Sequence, residues 1–240
     1  MRRTTPTKLF GSLALLLVAL PCLVSAQGLV DARSALTSFP ESQAVLFVNV
    51  RRIIHEALPR TMPPAEYDKL LAEPQKVGFD IRSLDYAVAG IRFADPAKPA
   101  GLPEVIVVIK GSFNADTLLA LGRVALGTQK EVKTRRETYG SKTIEIIDTS
   151  FISGPPKPSA DGSTPPPKPS PYPEVAIMAL DANTLVAGVP AYVRSFVDSA
   201  GGQGRLKAST VELAAKDPNS LWSLTADIPA SLPEYVKGLG

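Results

Sequence analysis

Cysteine, histidine and tryptophan each occur once among the 240 residues. The cysteine, Cys22, falls inside an N-terminal stretch that reads as a removable signal. The mature chain is then left with no disulfide, no thiol nucleophile and no cysteine metal ligand. With a single histidine as well, a structural zinc centre and a Ser-His-Asp triad lack their parts. Net charge is also missing. The whole chain carries 26 basic and 23 acidic residues, but Arg2, Arg3 and Lys8 belong to the N-terminal stretch, which leaves 23 of each sign. The basic pI of about 8.9 belongs to that stretch. A balanced mature chain gives no electrostatic ground for a nucleic-acid or anionic-membrane partner.

Residues 1–26 have the form of a signal peptide. A positive start precedes the apolar run Leu13 to Leu20, which is too short for a comfortable span, and Val24-Ser25-Ala26 is a small-residue exit. Cleavage before Gln27 and a periplasmic or secreted location follow as expectations, with membrane contact limited to export. A lipid-modified Cys22 is the competing form, and Pro21 directly before it argues against that form.

What is abundant is β-branched and apolar sequence at strand spacing. The chain is organised around residues 174–200. Val175 to Leu180 is apolar on both pleat faces, Asp181-Ala182-Asn183 is a turn, and Thr184 to Val189 is the return strand. Gly188 lets a neighbouring backbone approach closely. Pro190 then sits at a first-turn helix position, and Val193, Phe196, Val197 and Ala200 share one helix face. Upstream, residues 27–38 read as a mobile or helical lead-in, Ala44 to Val50 as a strand and Arg51 to Leu58 as a helix. A second helix follows from about Pro64, with Tyr67, Leu70 and Leu71 on one face. Tyr86 to Phe93 and Val105 to Ile109 are strands. Asn114 caps a helix that turns Leu118, Leu121 and Ala125 inward, and Lys130 to Asp148 is a hairpin about Tyr139-Gly140. After the centre come a loop at Gly201–Lys207, a short helix from Thr210, the strand Leu221 to Asp227, and a helix from Pro233.

The order strand, helix, strand, strand, helix, strand gives an α+β fold in ferredoxin-like units, with an antiparallel or mixed sheet and helices mainly on one face. The unit spans 27–152. Residues 153–173 hold nine of the 23 prolines and form an extended loop. Residues 174–240 continue the same sheet. Pro218-Asn219-Ser220 before the last strand echoes Pro40-Glu41-Ser42 before the first, so 174–240 could also open a second, incomplete unit.

Tyr139-Gly140, Leu180-Asp181, Thr184-Leu185-Val186-Ala187-Gly188, Val193-Arg194, Asp198 and Leu221-Trp222 together resemble a group of uncharacterised secreted bacterial proteins. Their shared motifs are a Tyr-x-Gly hairpin, a Leu-Asp-x-x-Thr-Leu-Val-x-Gly hairpin and an apolar-Trp strand. The resemblance covers roughly residues 130–230 and implies fold and export, with no activity attached.

No residue cluster amounts to a catalytic, cofactor or metal site. His55 points outward from its helix, and its neighbour Glu56 cannot face it. Asp80 with Asp85, and Asp181 with Asp198, are the carboxylate pairs that a hydrolase would use, with turn capping as the competing role. Gly201-Gly202-Gln203-Gly204 follows a helix, whereas a phosphate loop precedes one. Lys133, Arg135 and Arg136 read as a charged sheet edge, and Trp222 as core. The expectation is an exported non-catalytic module that binds a protein or peptide. The two-sided apolar strands imply a sheet face needing cover from later strands, a partner or a second copy.

Overall fold

The computed structural model describes residues 33, 35–76, 78–93, 102–127, 132–149, 172–217 and 220–227. The signal segment, most of the Pro-rich run and the helix expected from Pro233 lie outside them. Eight strands form one sheet: β1 (Ala44–Val48), β2 (Leu84–Arg92), β3 (Glu104–Gly111), β4 (Thr134–Tyr139), β5 (Lys142–Asp148), β6 (Glu174–Asp181), β7 (Thr184–Gly188) and β8 (Trp222–Ala226). The helices are residues 50–61 (α1), Pro64–Gln75 (α2), Ala115–Gly127 (α3), Pro190–Ala200 (α4) and Ala208–Ala214 (α5).

Local chemistry accounts for the element ends. The Asn49 side chain accepts from the Arg52 amide at 3.1 Å to start α1, and Asn114 accepts from the Thr117 amide at 2.8 Å to start α3. Pro190 occupies the first turn of α4. Asp181 Oδ1 accepts from the Asn183 amide at 2.8 Å, closing the β6–β7 turn on its own backbone.

The strand order is β4-β5-β6-β7-β3-β2-β1-β8, and every neighbouring pair is antiparallel. The fold is therefore α+β on an antiparallel sheet. Ferredoxin-like pairing is not what this sheet uses. A split βαβ unit sets its two outer strands parallel with a third between them, whereas β1 lies directly beside β2 and antiparallel to it. Residues 49–83 act as an enlarged hairpin connection at one end of the sheet, so no crossover is made. Residues 174–227 complete the same sheet: β6 and β7 fill the space between β5 and β3, and β8 closes on β1.

One face of the sheet is the core. Val45, Phe47, Val88, Ile106, Val108, Ile144, Ile146, Met178 and Val186 are all buried on it. Helix α4 lays Tyr192, Val193 and Phe196 against them, and α5 adds Val211 and Ala214. Fully burying each large side chain is worth about 1.5–3 kcal/mol, and this layer carries most of the stability. Of the mobile and helical forms expected for the 27–38 lead-in, its described end takes the helical one, and it is packed down. Leu36 and Phe39 are 0% and 1% exposed, and Phe39 packs edge-on against Phe196 with centroids 5.7 Å apart. A Cβ built at Gly90 would sit 2.4 Å from the Phe39 ring, so the glycine makes the room that Phe39 fills. The loop after α4 holds this segment in place through Leu206 N to Phe39 O at 2.8 Å and Glu41 N to Gly204 O at 2.7 Å.

The helices do not share one face. Helices α4 and α5 lie on the core face. Helix α3 lies on the other, because its Arg123 reaches Glu145 at 3.2 Å, and Glu145 alternates with the buried Ile144 and Ile146. Helices α1 and α2 stay at the sheet end, where Tyr67 donates to the Ile54 carbonyl at 3.1 Å. Leu121, expected inward, is 42% exposed, and Leu70, on the face of α2 shared with Tyr67 and Leu71, is 37% exposed. Neither α2 nor α3 is buried deeply enough to need a full apolar stripe.

Candidate functional site

The second face of the sheet holds the feature that chemistry elsewhere does not explain. Register carries one unbroken apolar row across six strands: Leu224, Leu46, Ala89, Val107, Ala187 and Ile177. A parallel row runs Trp222, Val48, Ala87, Ile109, Leu185 and Ala179. A third begins Ala226, Ala44, Ile91, Val105. At the usual strand spacings these rows cover roughly 24 Å across the strands and 14 Å along them. None of these side chains is buried, in contrast to their core-face neighbours. The first row ends in charge, with Ile177 opposite Glu145 and Glu145 opposite Arg136.

Helix α3 meets this face over β6, and among the described residues those of β8 on this face are exposed. Trp222 and Leu224 are each 60% exposed, and Ile91 36%. The expectation that Trp222 is core is corrected here. An apolar strand reads the same wherever it lies in a sheet, and β8 turned out to be the edge, with Trp222 on the open face. A contiguous apolar patch of a few hundred Å² matches the largest patch on a typical monomer, and such patches are often functional.

A groove lies between α3 and the β4–β5 and β6–β7 turns. Its volume is about 480 Å³, and its lining includes Asp116, Arg123, Arg136, Lys142, Glu145 and Asp181. Three cations face three carboxylates, so it has no net attraction for an anion. Its arginines are already engaged: Arg123 and Arg136 lie 3.2 and 3.3 Å from the same Glu145 oxygen. Lys142 Nζ donates to the Leu180 carbonyl.

The carboxylates singled out in the sequence are not brought into one catalytic arrangement. Asp80 caps the 3₁₀ turn Ile81–Ser83, accepting from the Arg82 amide at 2.9 Å and from the Arg82 guanidinium at 2.7 Å. Those bonds hold its carboxyl down at about 2. Asp85 pairs with a different arginine, Arg51, from α1. Asp80 is thus a capping anion already bonded to a cation, and it has no proton to give at neutral pH. Asp181 serves its hairpin through Asn183 and also accepts from Thr184 Oγ1 at 3.0 Å. Asp198 accepts from the Tyr139 hydroxyl at 3.1 Å, an interaction that raises the tyrosine's pKa. His55 is exposed in a π-helical turn, as expected, and Glu56 is held by Arg52 at 3.0 Å. Lys133, Arg135 and Arg136 are exposed on the β4 edge. Gly201–Gly204 leads from α4 to the Pro40–Arg205 bridge. Among the described residues no three carboxylate, histidine or cysteine side chains gather as a metal site.

Sequence reading missed the polar tie beneath α4. Tyr192 is fully buried. Its hydroxyl lies 2.5 Å from Ser42 Oγ and donates towards the Glu41 carbonyl at 3.1 Å. Arg92 stacks over its ring at 4.3 Å and bonds Glu104 at 2.6 Å. Burial pushes the Tyr192 hydroxyl up to about 12. The cluster joins the residues before β1, strand β2 and α4, and every member is occupied with another. Arg194 adds a second brace, bonding Glu137 of β4 at 2.6 and 2.8 Å and lowering the pKa of that carboxyl.

No family model and no curated protein sequence matches this chain. Two solved structures are similar to it in shape, both of TP0453. Crystal form III has 8% identity and a TM-score of 0.41 over 82% of this chain and 64% of that one. Crystal form IV has 8% identity and a TM-score of 0.39 over 79% and 62%. This chain therefore spans less than two thirds of the length of those two. Among the described residues no helix is long and apolar enough to cross a membrane.

Proposed function

We propose that this chain is an exported, non-catalytic module that binds a protein partner through the open face of its sheet. One observation carries the reading: two apolar rows cross six strands without a buried member, and they end in a tryptophan and a leucine that are each 60% exposed. Burying that face at roughly 25 cal/mol per Å² would favour association at modest area. The signal-like N-terminus and the resemblance to secreted bacterial proteins support an envelope or extracellular setting. A hydrolase working through Asp80 and Asp85 is the competing reading. The separate arginine partners of the two carboxylates weigh against it, and hydrolytic activity abolished by Asp85→Asn would restore it.

Photo-crosslinking in producing cells tests the proposal. A photoreactive residue at Val107 should give a discrete adduct with another polypeptide, and one at Lys69 of α2 should not. The crosslinked protein should begin at Gln27. Equal adducts from both positions, or none from Val107, would refute binding through the face. A start at a modified Cys22 would turn the exported module into a membrane-anchored one.

A further inference from the structure

We propose that β8 is a self-complementary edge through which two copies of this chain pair, antiparallel, into one continuous sheet. The inference rests on main-chain geometry and is independent of what covers the open face. Asn49 N bonds Leu221 O at 2.8 Å, and Asp227 N bonds Gln43 O at 2.6 Å. Antiparallel hydrogen bonding alternates, so residues 221, 223, 225 and 227 face β1. The amide and carbonyl groups of Trp222, Leu224 and Ala226 then point away from the sheet. Among the described residues no strand pairs with that side.

The side chains suit a second copy of the same strand. About a two-fold axis at Leu224, each Leu224 faces its equivalent, and each Trp222 faces an Ala226. A large ring thus lies beside a small residue, and each pair exchanges two main-chain bonds. On the core side Ser223 meets Thr225, a hydroxyl pairing. No charge stands on β8, so the self-pair carries no like-charge opposition. The other edge is built differently. Strand β4 has Arg135, Arg136 and Glu137 in succession, the arrangement that keeps an edge from pairing. Charge thus selects β8 against β8 over β8 against β4, and an isologous pair closes where a head-to-tail one would run on into a fibre. One five-residue strand pair buries less than the roughly 1,200 Å² of a stable complex, so the dimer should be weak and concentration-dependent.

Sedimentation velocity over a concentration series decides it. The purified protein should pass from monomer to dimer as concentration rises. Leu224→Glu sets two like charges face to face and should weaken the dimer by at least about tenfold. Leu224→Pro loses only an outward amide and should also be monomeric, with an unchanged far-UV spectrum. Ile91→Lys, on the same face but two strands in from the edge, should still dimerise. A wild-type monomer at every concentration would overturn the proposal. So would a dimer that survives Leu224→Glu and Leu224→Pro, or one abolished by Ile91→Lys alone, which would place the contact on the face.

Discussion

Gly188→Ala is expected to destabilise the protein by about 3 kcal/mol or more in chemical denaturation, the upper range for overpacking. Gly188 pairs with Ala176 on one side and Ile106 on the other, in the middle of the sheet. A Cβ there would lie 2.4 Å from the Val105 carbonyl oxygen and 2.8 Å from Ile106 Cα. Both are backbone atoms, so no rotamer change relieves the clash, and β3 must part from β7. That seam joins the two halves of the sheet. The same substitution at Gly122 has nothing within 4 Å. Within a helix, Gly122→Ala should stabilise by up to about 1 kcal/mol. A loss at Gly188 no greater than an ordinary surface change would show that β3 and β7 are not paired in this register.

Tyr192→Ala should cost about 3–5 kcal/mol, the usual range for emptying a buried aromatic site. Tyr192→Phe should cost about 1–2 kcal/mol. The difference comes from what each removes. Alanine takes away a ring that fills the space between α4, the core face and Arg92. Phenylalanine keeps the ring and removes the hydroxyl shared with Ser42 and Glu41. Ser42 retains its own bond to the Pro40 carbonyl at 2.8 Å, which limits the loss. Equal costs for the two variants would mean that the ring is not packed as described. Urea denaturation followed by circular dichroism measures both.

The particular residues show where the sequence could be read and where it could not. Gly188, Asn114, Pro190 and the Asp181–Asn183 turn were legible, because each acts through its own backbone or that of a close neighbour. Val193 and Phe196 on one face of α4 were legible for the same reason, since helix periodicity is local. Strand order was not legible. Residues 49–83 read as the crossover of a ferredoxin-like unit, and only the pairing of β1 with β2 shows them to be a long hairpin connection. Leu36 and Phe39 precede any periodic element, and their partners lie in α4 and the loop beyond it. Tyr192 stands at the start of its helix, and its hydroxyl partner Ser42 is 150 residues away. Trp222 misled for a related reason: alternation places it on a face without saying whether another strand lies beyond. The open face itself was foreshadowed by Val105 to Ile109 and Val175 to Leu180, apolar on both sides of the pleat.

The fluorescence of Trp222 tests the open face most directly, since it is the sole tryptophan of the chain and stands at the end of one apolar row. In dilute protein its emission should lie near that of a water-exposed indole and be strongly quenched by acrylamide. Replacement by Phe should leave stability within about 0.5 kcal/mol, as for an ordinary surface position. Blue-shifted emission protected from quencher, with a large stability loss on replacement, would show that the face is closed within the chain and would contradict its use for binding.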